Sequence, residues 1–167
     1  GTLFWITGLS GSGKTSISKK IHTRIIKQYG PTILISGDQI RKIFSLKGYT
    51  YADRLNIVKK YCLLSKLITQ NKVNVIISVI GMLDILRDWN KKNIKNYIEI
   101  YVESSIKDLK VRNKKKLYTN NKESVVGINV KPEFPKNPDI KIRNNFKNDL
   151  KEISDKVYKK IKCKFSY

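Results

Sequence analysis

Histidine occurs once in the 167 residues, at His22, and cysteine twice, at Cys62 and Cys163. A single histidine on what reads as the first helix is assigned to structure, and no His-based catalysis can be assembled elsewhere. The cysteines lie about a hundred positions apart. That spacing fits free thiols in a reduced compartment and excludes a paired metal-binding motif. No run approaches the ~20 apolar residues of a membrane-spanning helix. No secretory leader is visible either, so a cytoplasmic setting without a membrane partner is expected. Gly1 stands so close to the first strand that native residues are expected to precede it.

Acidic residues are scarce, 13 against 35 basic ones, and the formal net charge is +22. Such a balance suggests nucleic acid as a partner. Yet only six of the 35 basic residues are arginine. Base edges and phosphates are read best by arginine forks. A lysine- and asparagine-rich surface therefore reads as compositional bias, and no nucleic-acid partner is expected. A basic, nucleic-acid-binding protein stays open as a remote alternative. The charge would still steer anionic substrates. The length fits one domain with a proper core, and no internal repeat is present.

What the chain does have begins at once. Leu3 to Thr7 is a short β-prone run that leads into Gly8-Leu9-Ser10-Gly11-Ser12-Gly13-Lys14-Thr15. That is G-x-x-x-x-G-K-[ST] without a mismatch. Ile17, Ile21, Ile25 and Ile26 follow at helical spacing, which supplies the strand–loop–helix context that the motif requires. Glycines let a loop turn several backbone N–H groups onto a polyphosphate, and the helix N-terminus adds partial positive charge. Lys14 can reach the β- and γ-phosphates of ATP, and Thr15 can place its hydroxyl on Mg²⁺. The plain alternative is a glycine-rich turn that binds nothing.

The remaining pattern alternates strands and helices. Gly30-Pro31 ends the first helix, and Thr32 to Ser36 is a second strand that delivers Gly37-Asp38 at its C-terminal end. Gln39 to Leu46 reads as a short helix carrying Arg41. Asp53 to Gln70 reads as a long one, with Leu55, Val58, Cys62, Leu63 and Leu67 on one face. Val73 to Ile80 is the most apolar run and is expected to be the central strand. After Gly81-Met82-Leu83-Asp84 come a helix to about Lys92, a strand at Tyr97 to Val102, and a helix capped by Ser104 that runs to about Arg112. Residues 113–135 lose periodicity, carry Lys114, Lys115, Lys116 and Lys122, and read as a basic lid; a disordered charged insertion is the alternative. A strand at Asp139 to Ile142 and a helix from Asn145 to Lys160, with Phe146, Leu150, Ile153 and Val157 inward, complete the chain. This predicts a single α/β domain over 1–167 with a parallel five-stranded sheet and helices on both faces.

A motor ATPase or GTPase needs an acidic residue at the end of a second apolar strand. Here that strand reaches Ser78, the following loop supplies only Asp84, and no N-K-x-D guanine motif exists. A small-molecule kinase fits better. Phe4 to Thr15, then Gly37-Asp38-Gln39-Ile40-Arg41, Gly48-Tyr49, Ala52-Asp53-Arg54 and Asn56-Ile57 resemble the adenylylsulfate (APS) kinases. The likeness continues at Val75 to Ser78, at Arg112 with Lys115, Leu117 and Tyr118, and at Gly127-Ile128 and Asn137-Pro138.

The resemblance implies a P-loop kinase fold and transfer of the γ-phosphoryl of ATP, with Mg²⁺, to the ribose 3′-hydroxyl of a small nucleotide. It also implies a homodimer. Gly8, Ser10, Gly11, Ser12, Gly13, Lys14, Thr15 and Ser16 would hold the phosphates, Thr15 the metal, and Arg112 the ATP side. Asp38 would accept the hydroxyl proton beside Lys14, and Arg41, Tyr49, Arg54, Asn56, Ile80 and Lys115 would bind the acceptor. A helix N-cap is the alternative for Asp38, and a solvated helix face for Arg41 and Arg54.

The departures lie on the acceptor side. Ser36-Gly37-Asp38 replaces Asp-Gly-Asp, and Val125 stands where the family's second stacking phenylalanine is expected. Gly81-Met82-Leu83-Asp84 replaces Ser-Pro-aromatic-Arg, which is expected to remove a positive charge near the acceptor. The expectation is the same reaction on a different nucleotide. The best fit is the branch that phosphorylates cytidine diphosphoramidate for capsular polysaccharide, and APS itself is the alternative acceptor.

Overall fold

In the computed structural model, residues 1–112 and 125–165 are described. Five strands form one parallel sheet: β1 (Thr2–Thr7), β2 (Thr32–Ser36), β3 (Asn74–Val79), β4 (Asn96–Glu103) and β5 (Ile140–Arg143), in the order β2-β3-β1-β4-β5. The helices are α1 (Lys14–Tyr29), α2 (Gly37–Ile43), α3 (Tyr51–Gln70), α4 (Asp84–Asn93), α5 (Ile106–Arg112) and α6 (Leu150–Lys164).

Both faces of the sheet are covered, so its interior strands read as continuous apolar runs rather than alternating ones. All six residues of β1 and all six of β3 are buried. Alternate side chains of β1 serve opposite layers. Phe4 and Ile6 join Ile17, Ile21 and Ile25 of α1 and Ile153, Val157 and Ile161 of α6. Leu3 and Trp5 join Ile57, Val58, Tyr61 and Cys62 of α3 and Leu86 of α4.

The central strand is β1, not β3. Apolar content does not separate two fully buried strands, and only the crossover order does. From β1 the chain runs to the β2 edge, returns to β3 beside β1, then crosses to β4 on the far side. Ligands of such sheets lie beyond the carboxyl ends of the strands at this reversal.

Three local expectations are corrected. Leu63 and Leu67 of α3 are exposed, and the buried stripe is Ile57, Val58, Tyr61, Cys62, Ser65 and Thr69. Small polar residues in that stripe hid its period. The cap of α5 is Ser105, whose Oγ accepts from Asp108 N at 3.0 Å; Ser104 instead donates to the Asn144 carbonyl at 2.7 Å. Asp149 caps α6 by accepting from Glu152 N at 2.6 Å, so Phe146 lies in the turn before the helix, at φ 63°.

Candidate active site

The Gly8–Thr15 loop leaves β1 at the topological reversal and enters α1. A Cβ on Gly8 would stand 2.5 Å from the Val102 carbonyl oxygen, so no other residue fits there. Gly13 caps α1 at φ 96°, a left-handed conformation that favours glycine. Lys14 is buried, and its Nζ donates to the Leu9 carbonyl at 2.7 Å, spanning the loop from within. Arg112 Nη1 donates to the Gly11 carbonyl at 2.9 Å, and its guanidinium lies 4.3 Å from the Phe146 ring centroid. Asn144 Nδ2 donates to the Ser12 carbonyl at 2.9 Å. The phosphate loop is thus tied down from α5 and from the segment after β5.

In front of this loop opens a cleft of about 630 Å³. Ser10, Gly11, Gly13, Lys14, Thr15, Ser16 and Arg112 line it around the loop, and Asp38, Arg41, Tyr49, Arg54 and Ile80 are also among its lining. Gly8 and Ser12 are buried off the cleft and shape the loop from beneath. Asn56 is exposed and off the cleft. α3 starts at Tyr51 behind the Thr50 cap, and that phase turns Ile57 and Val58 to the wall instead. Lys115, with Lys114, Lys116, Lys122 and the first half of the expected lid, lies outside the described residues.

Asp38 sits in the first turn of α2, whose N-cap is Ser36. The Tyr61 hydroxyl donates to the Gly37 carbonyl at 3.1 Å, and burial pushes its phenol pKa up. Arg41 Nη1 donates to the carbonyls of Leu46 and Gly48, both at 3.2 Å, with its guanidinium 5.0 Å from the Tyr49 ring centroid. Arg54 Nε donates to the Tyr49 carbonyl at 2.8 Å. Burial, then the charge of Arg41, lowers the Arg54 pKa from its usual value. Both arginines therefore brace one turn, 46–49, from two sides. Thr50 and Asp53 close a reciprocal cap at the start of α3, and the Thr50 hydrogen bonds hold the Asp53 carboxyl below its ordinary value.

Among the described residues, five cations, Lys14, Arg41, Arg54, Arg112 and Lys131, face the cleft against the one carboxylate of Asp38. That balance suits two polyanionic ligands at once. No group of three or more His, Cys, Asp or Glu able to hold a metal occurs among the described residues. Mg²⁺ suits such a site, because it keeps several waters and is held chiefly through substrate phosphates. The Thr15 hydroxyl, 3.4 Å from the Ser78 hydroxyl at the end of β3, is the protein group that would hold it.

Tyr61, Ile57 and Lys131 were not legible as wall residues in the sequence. The inward stripe of α3 would have exposed Tyr61, had Ser65 and Thr69 been counted with the apolar positions. Val125 is buried in the wall with Val126 and Met82, in a cluster with Leu9, Tyr101 and Leu109. Asp84 does not line the cleft, and its carboxylate pairs with Arg87 behind the wall.

Residues 1–143 match the model of the adenylylsulphate kinase family. The chain is 34% identical over 163 residues to the cytidine diphosphoramidate kinase of Campylobacter jejuni, covering 95% of each chain. It is 30% identical over 166 residues to the adenylyl-sulfate kinase of a Picosynechococcus species, covering 96% of this chain and 93% of the relative. The Mycobacterium tuberculosis APS kinase, solved in complex with AMPPNP and APS, superposes with a TM-score of 0.85 at 23% identity, covering 97% and 98% of the two chains, which shows the fold. The chain belongs to the adenylylsulphate kinase family and is a phosphotransferase that uses ATP with Mg²⁺.

Proposed function

We propose that the enzyme phosphorylates the ribose 3′-hydroxyl of cytidine diphosphoramidate. The observation that carries this is the cleft wall: Val125 offers a small aliphatic face where the resemblance to the family implies a second stacking ring. Ile57 and Val58 extend the same apolar lining. A pyrimidine needs less aromatic surface than a purine. The similarity to the Campylobacter jejuni relative supports the same acceptor.

Asp38 takes the proton of the 3′-hydroxyl. The freed oxygen bonds to the γ-phosphorus as the bond to the β–γ bridging oxygen breaks, and ADP leaves. Lys14 and the backbone amides of the phosphate loop hold the charge of the transferring group, and Arg41 and Arg54 orient the acceptor. Mg²⁺, held on the protein side by the Thr15 hydroxyl, would add charge neutralisation to the phosphates.

APS is the second reading, favoured by Tyr49, which retains one stacking ring at the cleft. Either acceptor fits a homodimeric cytoplasmic enzyme, and light scattering tests the dimer. The acceptor is tested by incubating the protein with Mg-ATP and cytidine diphosphoramidate and locating the new phosphate by ³¹P NMR. A 3′-phosphorylated cytidine product, lost in Lys14→Ala, supports the reading. ATP turnover only with APS replaces it with the second one.

A further inference from the structure

Behind the acceptor wall lies a buried ionic cluster that no step of the phosphoryl transfer uses. Arg87 of α4 is 3% exposed and Glu99 of β4 is 2% exposed, with Arg87 Nε 3.0 Å from Glu99 Oε1. Burial pushes the Glu99 carboxyl above its ordinary pKa, while Arg87 and then Lys91 pull against that. Arg87 spends the rest of its fork on the wall. Its Nη1 donates to the Gly81 carbonyl at 3.0 Å, and its Nη2 donates to the Glu133 carbonyl at 2.8 Å and to the Asp84 carboxylate.

Glu133 answers from the other side. Its Oε2 accepts from Asp84 N at 2.5 Å, and its backbone N donates to the Met82 carbonyl at 3.4 Å. The polar backbone of the turn 81–84 is thus fastened to residues 87 and 133. Gly81 makes the turn at φ 49°, where a Cβ would meet Trp5 and Val79 at 2.9 Å. Gly81, Met82 and Leu83 all face the cleft, as do Val125, Val126 and Val130 of the segment that Glu133 follows.

We propose that the Asp84–Arg87–Glu133 clasp is a positioning device for acceptor specificity, fixing the turn 81–83 and the 125–130 segment at one separation. The clasp rests on the acceptor-side assignment above. It acts on the acceptor and not on ATP, because the phosphate loop has separate anchors in Arg112 and Asn144. Asp84 has a specific part in it: an acidic residue at this position gives Arg87 a partner behind the wall, where a basic one would repel it.

Removing Arg87 would leave the buried Glu99 carboxylate with only the longer 3.5 Å contact to Lys91 and threaten folding. The test therefore uses Glu133, which is only partly buried. Glu133→Ala removes the acceptor of the Asp84 N–H, and Glu133→Gln restores an oxygen there. KM for the nucleotide acceptor and KM for ATP are measured separately, with whichever acceptor the wild type turns over. Glu133→Ala should raise the acceptor KM about tenfold, as loss of a charge-assisted hydrogen bond does. The ATP KM should stay within about twofold, and Glu133→Gln should recover most of the loss. Asp84→Ala should show the same split. Acceptor and ATP constants that move together, or an unchanged acceptor KM in Glu133→Ala, overturn the clasp. A wild type that ignores cytidine diphosphoramidate and uses APS overturns the acceptor assignment instead and leaves the ratio between variants readable.

Discussion

The Tyr61 hydroxyl of α3 and the Gly37 carbonyl of α2 are joined by a 3.1 Å hydrogen bond one residue before Asp38. The bond ties the long helix that lines the cleft to the turn that carries the proposed base. Tyr61→Phe keeps the ring and deletes the bond, a loss of about 0.5–1.5 kcal/mol. If that loss appears as misplacement of Asp38, kcat falls about two- to tenfold. The ATP KM should not move, which steady-state kinetics with varied ATP would show. An unchanged kcat would confine Tyr61 to packing.

Asp38→Asn is nearly isosteric but cannot take the hydroxyl proton. Loss of a general base costs about 10²–10⁴ in rate. ATP affinity, measured by calorimetry, should change little, because the phosphate loop keeps its own hydrogen bonds. Near-normal turnover would reduce Asp38 to a structural residue of α2.

The cap of α3 predicts an acid-sensitive element next to Arg41 and Arg54. Asp53 has its pKa lowered in the fold by Thr50. A carboxyl depressed in this way contributes stability above its unfolded value of about 3.9, and that contribution is lost as pH falls through the lower folded value. Thermal melts between pH 3 and pH 7 should therefore show a shallower acid limb in Asp53→Asn than in wild type. Thr50→Ala, which removes the cap itself, should cost about 1 kcal/mol at neutral pH. Parallel acid limbs in the two proteins would remove Asp53 from the titration.

Legibility in the sequence followed the range of the interactions. The phosphate loop was readable because its glycines, Lys14 and Thr15 act over eight consecutive residues. Strand and helix identities were readable from periodicity, and the all-parallel sheet from their alternation. The position of β1 at the centre was not, because β3 is equally buried and only the crossover order separates them. The face of α3 was misread because Ser65 and Thr69 sit in its buried stripe. The partners of Asp84 were not readable because they depend on tertiary approach: Glu133, which accepts from its backbone N–H, is 49 residues away in the chain. Tyr61 carried no motif, and its part in the site exists only because α3 passes beneath Gly37.

The acceptor remains the central claim, and one measurement reaches it most directly: kcat/KM for cytidine diphosphoramidate and for APS, side by side, in a coupled ADP-release assay. Base–aromatic stacking contributes roughly 1–3 kcal/mol per ring. With Val125 in place of a ring, APS should lose most of one such contact, at least about tenfold in kcat/KM. A pyrimidine offers less surface to the missing ring and loses less. Wild type should therefore prefer cytidine diphosphoramidate, and Val125→Phe should shift the ratio towards APS. Efficient turnover of APS by wild type, with no activity on the cytidine compound, would contradict the account.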